Sequence, residues 1–133
     1  MKSKLLSAAA LLLCLVGAFY IFQGIWALVA TEGYTRIWAE MMGEPVIPSP
    51  VLTMAVQFFG VLKVVFGAFM AIVALIPLRR AEKWSWFTIL VLYGIDAVFL
   101  IILWAPYAPF MYLFVLMWAA ALCLSAKPVF GKK

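Results

Sequence analysis

The chain has 133 residues, of which 69% are hydrophobic and 11% charged, with a formal net charge of +5 and a mean hydropathy of +1.18. Soluble domains are about half apolar and a quarter charged. This make-up therefore excludes an ordinary soluble domain and predicts an integral membrane protein.

Four apolar stretches, about residues 5–30, 51–78, 84–104 and 107–126, are each long enough to cross a hydrocarbon core of about 30 Å as a helix. Barrel strands would read as alternating segments of about ten residues. These runs are continuous, so the expected fold is all-α, an integral membrane four-helix bundle filling a single domain over 1–133.

The first stretch opens Met1-Lys2-Ser3-Lys4 and then turns apolar, which imitates a secretory signal. Its core outruns the 7–15 residues usual for a signal, and no Ala-x-Ala site closes it. It is read as a retained helix. Gly17, Tyr20 and Gly24 share one of its faces, and Gln23 lies beside them.

The segment Thr31–Pro50 is the one long connection. Tyr34, Ile37, Trp38, Met41 and Met42 recur at helical spacing, with Arg36, Glu40 and Glu44 pointing elsewhere, which predicts a short amphipathic helix lying in the interface. Gly43 is placed to end it, Pro45, Pro48 and Pro50 keep the chain extended, and Ser49-Pro50 forms an N-cap and first-turn pair.

The second stretch carries FFGVLKVVFGAF, Phe58–Phe69, with a lysine inside an apolar run. A lysine at mid-membrane costs about 2.5–3.5 kcal/mol on insertion scales, so Lys63 needs a partner or water. Asp96, on the third stretch, is the other mid-membrane charge. Lys63 stands 16 residues from Arg79 and Asp96 stands 13 from Lys83, depths of roughly 24 and 20 Å at 1.5 Å per residue. The tight turn between these spans makes them antiparallel neighbours, and a Lys63–Asp96 ion pair is expected. Gly60, Lys63, Gly67, Ala71 and Ala74 share a face that admits a close helix neighbour. Tyr93, one turn from Asp96, together with Tyr20, Gln23 and Gln57, completes a candidate polar cluster. Gln57 is offset around its helix from Lys63.

Between spans three and four, Trp104-Ala105-Pro106-Tyr107-Ala108-Pro109 forces a tight hairpin. In a four-span arrangement Lys2, Lys4, Arg79, Arg80, Lys83, Lys127, Lys132 and Lys133 fall on one side, and Arg36, Glu32, Glu40 and Glu44 on the other. The positive-inside rule then makes both termini cytoplasmic. Membrane lipids are sufficient partners for these cations, and no nucleic-acid role is expected.

Absences restrict the chemistry. The chain has no histidine, which removes His-based acid–base catalysis and the usual zinc sites. Cys14 and Cys123 form no Cys-x-x-Cys and lie at different depths, so neither a redox dithiol nor a disulfide is expected. No phosphate loop or paired carboxylates occur. The sequence is thus read as no enzyme, with no cofactor and no metal. Five of the tryptophans stand near span ends, where belt anchoring is the expected role, and Trp118 lies deeper.

The block QFFGVLKVVFGAFMAIVALIPLRRAEKWSWFTILVLYGIDA, Gln57–Ala97, resembles small bacterial four-helix membrane proteins of unknown function grouped with DoxX-like proteins. The shared features are a Gly-containing second span, a basic Leu78-Arg79-Arg80 turn and an aromatic Lys83-Trp84-Ser85-Trp86 start to the third span. The resemblance implies the fold and an association with quinone or an oxidative-stress membrane complex, and carries over no catalytic residue. Small multidrug transporters fit less well, because span one carries Gln23 where they need an acid. The expected role is a non-catalytic inner-membrane protein, an accessory, scaffold or lipid/quinone-binding subunit. The alternative is a small proton-coupled carrier acting as a homo-oligomer.

Overall fold

The computed structural model describes residues 2–131, without the Lys2 side chain. The flanking cations Lys132 and Lys133 lie outside the described residues. The chain forms α1 (Lys2–Val29), α2 (Thr31–Met42), α3 (Pro50–Val73), α4 (Lys83–Phe99) and α5 (Met111–Phe130). Wider π-type turns extend α3 through Leu78 and α4 through Trp104, and no strand occurs among the described residues. Four helices, Ser3–Val29, Pro50–Leu78, Lys83–Trp104 and Met111–Phe130, are long and apolar enough to cross a membrane. Large apolar side chains face outward along them, among them Leu11, Phe22, Met54, Phe58, Ile102 and Leu116.

Local chemistry explains the breaks. Gly43 closes α2 in the left-handed region at φ 73°, with Gly43 N–H and Glu44 N–H donating to Glu40 and Ala39 carbonyls, a C-cap that glycine adopts without steric penalty. Ser49 Oγ accepts from the Leu52 amide at 3.0 Å and Pro50 begins α3, as the sequence predicts. Pro77 has no N–H to donate, and the helix around it widens before the 79–82 turn. The last helix begins at Met111 rather than 107, because Pro106 and Pro109 hold the preceding segment in turns. Pro128, by contrast, is accommodated inside α5.

The four long helices pack in a ring: α3 on α1, α1 on α5, α5 on α4, and α4 only thinly on α3. The α1–α3 seam is set by two reciprocal glycine pairs, Gly17 with Gly67 and Gly24 with Gly60. A Cβ on Gly17 would stand 2.7 Å from the Gly67 carbonyl oxygen, and one on Gly60 would stand 2.8 Å from that of Gly24. The seven-residue spacing on each helix and the crossed pairing make the helices antiparallel, with backbones in contact. On the opposite side, Trp86 Nε1 donates to the Leu122 carbonyl at 3.1 Å and Trp118 Nε1 to that of Ile89 at 3.2 Å, stapling α4 to α5. Spans two and three are neighbours as expected, joined by the 79–82 turn and by the Tyr93–Phe66 hydrogen bond, but they are not the tightest pair. They are adjacent in the ring, but the backbone-contact seam belongs to α1 and α3, where glycine lies on both sides.

Candidate functional site

Three helices meet at the level of Lys63. From α3, Lys63 projects inward and is 8% exposed; from α1, Tyr20 and Gln23 are 4% and 5% exposed; from α4, Tyr93 is 2% exposed, while Asp96 is half-buried. Gln57 is exposed on the outer face of α3 and joins none of them. Its position, six residues before Lys63, turns it away from the face that carries Gly60, Lys63 and Gly67.

The expected direct Lys63–Asp96 ion pair is also corrected. The Asp96 carboxylate accepts a hydrogen bond from the Tyr20 hydroxyl. The Lys63 ammonium lies over the Tyr20 ring, 4.1 Å from its centroid, and 5.3 Å from that of Phe59. The tyrosine is thus interposed, its ring on the cation and its hydroxyl on the anion. A desolvated cation–π contact contributes about 2 kcal/mol, comparable with the roughly 2.5–3.5 kcal/mol that placing a lysine at mid-membrane costs. Aromatic faces together with the Asp96 field can therefore carry the charge without a contact ion pair. Tyr93 serves the seam itself, its hydroxyl donating to the Phe66 carbonyl at 2.6 Å and its ring meeting that of Phe66 edge-on at 5.3 Å.

The thin α3–α4 seam leaves a lateral pocket of about 180 Å³ lined by Tyr20, Phe59, Leu62, Lys63, Phe66 and Asp96. It is an aromatic-walled recess with one cation and one anion at its base. Above Lys63 is a small cavity of about 10 Å³, bordered by Gln23, Tyr34, Trp38, Trp104 and Met111, room for about one water molecule. Trp38 and Trp104 meet there edge-on at 4.7 Å, so these two tryptophans pack against each other inside the end of the bundle that α2 covers rather than serving only as belt anchors. Trp38 packs beside Tyr34 as well, their ring centroids 6.1 Å apart. Burial pushes the Tyr34 hydroxyl up to about 12, so it remains a neutral donor at ordinary pH.

Phe59, Leu62 and Phe66 were not singled out as site residues from sequence, although the spacing 59, 63, 66 places both rings beside Lys63 on one helical face. Cys14 is half-buried, Cys123 is exposed and both are free. No group of three or more metal-ligating side chains occurs among the described residues. The arrangement offers a cation for a hydrogen-bond acceptor, a carboxylate for a donor or a proton, and rings to flank a planar or aliphatic group. No family model, curated protein or solved structure matches this chain.

Proposed function

We propose that this chain is a multi-pass protein of the cell inner (plasma) membrane, with both termini cytoplasmic, that holds the head of a membrane amphiphile, a lipid or a quinone, in the pocket between α3 and α4. It acts as a non-catalytic accessory or lipid/quinone-binding subunit, alone or within a membrane complex. The observation that carries this reading is the Lys63 ammonium at the base of a laterally placed pocket, contacted by ring faces rather than by a carboxylate. An oxygen-bearing head would give it the acceptor that it lacks, and intramembrane ionisable groups mark binding or transport sites by default. The DoxX-like resemblance rests on its quoted residues alone and agrees with this role.

The basic flanks support the orientation. The buried face of α2, carrying Tyr34 and Trp38, supports its place as an interfacial helix capping the outer end of the bundle. A second reading, a small proton-coupled carrier, draws on Lys63 bordering both the lateral pocket and the cavity above it; proton-driven solute flux in liposomes that requires Asp96 would favour it. Native mass spectrometry of the protein released from mild detergent tests the main reading. Extra mass of lipid or quinone size, lost in Lys63→Met, supports it; a bare wild-type chain contradicts it.

A further inference from the structure

The depth and the charges of the Lys63 pocket restrict the head that fits it. Lys63 stands thirteen residues after Pro50 and fifteen before Leu78 in the span Pro50–Leu78, about 20 Å from either end at 1.5 Å per residue. A head that reaches it lies well inside a hydrocarbon core of about 30 Å, where each added charge is costly. A phospholipid keeps its phosphate at the headgroup level, far from this depth.

Two unlike groups share the base of the pocket. The Lys63 ammonium carries three N–H donors, and the Tyr20 and Phe59 rings at 4.1 and 5.3 Å offset its charge without supplying an oxygen acceptor. The Asp96 carboxylate accepts at two oxygens. The Tyr20 hydroxyl donates to Oδ2, which leaves Oδ1 for a second donor. A carboxylate or phosphate head would satisfy Lys63 but meet Asp96 as a like charge, and an amine would do the reverse. A zwitterionic head matches both signs but carries two further charges to mid-membrane. A carbonyl or an ether accepts from Lys63 and gives Asp96 nothing. A hydroxyl serves both, accepting through its oxygen and donating through its O–H.

On the reading of this pocket as a binding site, we infer that it selects an uncharged hydroxyl head, that of an amphiphilic alcohol whose O–H donates to Asp96 and whose oxygen accepts from Lys63. The first carbons of the chain lie against Phe59, Leu62 and Phe66, which wall the rest of the recess of about 180 Å³. The tail leaves through the thin α3–α4 seam.

The test is native mass spectrometry of the full chain in mild detergent, titrated with amphiphiles that share one oleyl-type chain: oleyl alcohol, its methyl ether, oleyl phosphate and oleoyl lysophosphatidylethanolamine. The alcohol is expected to bind about tenfold more tightly than the ether, as a hydrogen bond to a charged group is worth, and more tightly than both phosphate compounds. In Asp96→Asn its lead over oleyl phosphate is expected to shrink several-fold, because the like charge is gone. The wild-type order decides the matter if Asp96→Asn does not fold. An ether that binds as tightly as the alcohol, or a phosphate compound that binds more tightly, with binding lost in Leu62→Trp, would overturn the hydroxyl head and leave the pocket a binding site. Binding of none of the four, or binding that survives Leu62→Trp, would overturn the pocket itself.

Discussion

The two sides of α3 differ in a way that explains the molecule. Toward α1 it presents Gly60 and Gly67, each against a glycine of α1, and the backbones touch. Beside that seam, Phe59, Leu62, Lys63 and Phe66 line a recess together with Tyr20 of α1 and Asp96 of α4. Within lipid the hydrophobic effect does not drive helices together, so close approach depends on small residues and interhelical hydrogen bonds. The glycine seam is the scaffold. The aromatic seam, tied by the Tyr93–Phe66 hydrogen bond, is the place where something else can fit.

The largest expected effect comes from closing the wrong seam. Gly67→Leu would drive a side chain into the Gly17 backbone and should cost roughly 3 kcal/mol or more, read as a large fall in the melting temperature in detergent. An unchanged melting temperature would mean that α1 and α3 do not touch as described. Next is the Lys63–Tyr20–Asp96 cluster. Asp96→Asn and Lys63→Met should each destabilise, and the double variant should lose less than their sum by about 1 kcal/mol. Because Tyr20 lies between them, that coupling should shrink in a Tyr20→Phe background. Coupling that persists at full strength without the hydroxyl would indicate a direct ion pair after all.

Smaller still is Tyr93→Phe, which removes a single hydrogen bond and should cost about 1 kcal/mol, with faster hydrogen exchange in the middle of α3 as its local signature. Smallest is Gln57→Ala. On the exposed face of α3, it should stay within about 0.5 kcal/mol of the wild type and leave any bound mass untouched, and a larger effect would place Gln57 in an interface.

Much of this was legible in the sequence. Helix lengths follow from apolar runs, the start of α3 from Ser49-Pro50, the end of α2 from Gly43, and the small-residue faces of α1 and α3, though not their pairing, from glycines and alanines recurring at helical spacing. The convergence of Lys63, Asp96, Tyr20 and Gln23 follows from matching depths. What periodicity does not carry is rotation between helices. Depth counting placed Lys63 opposite Asp96 correctly but could not show that the Tyr20 ring occupies the space between them. Nor could it show that Gln57, at a similar level, faces outward. The Trp38–Trp104 contact was equally hidden, since both residues read as interfacial anchors and only the docking of α2 on the bundle brings them together.

The central claim is that the α3–α4 recess is a binding site and not a packing defect. The most direct measurement is native mass spectrometry of wild type beside Leu62→Trp, which fills the recess while leaving Lys63, Tyr20 and Asp96 in place. The account predicts that a lipid- or quinone-sized mass accompanies the wild type and is lost from Leu62→Trp at little change in melting temperature, as it is from Lys63→Met. A bound mass that survives both substitutions would contradict it.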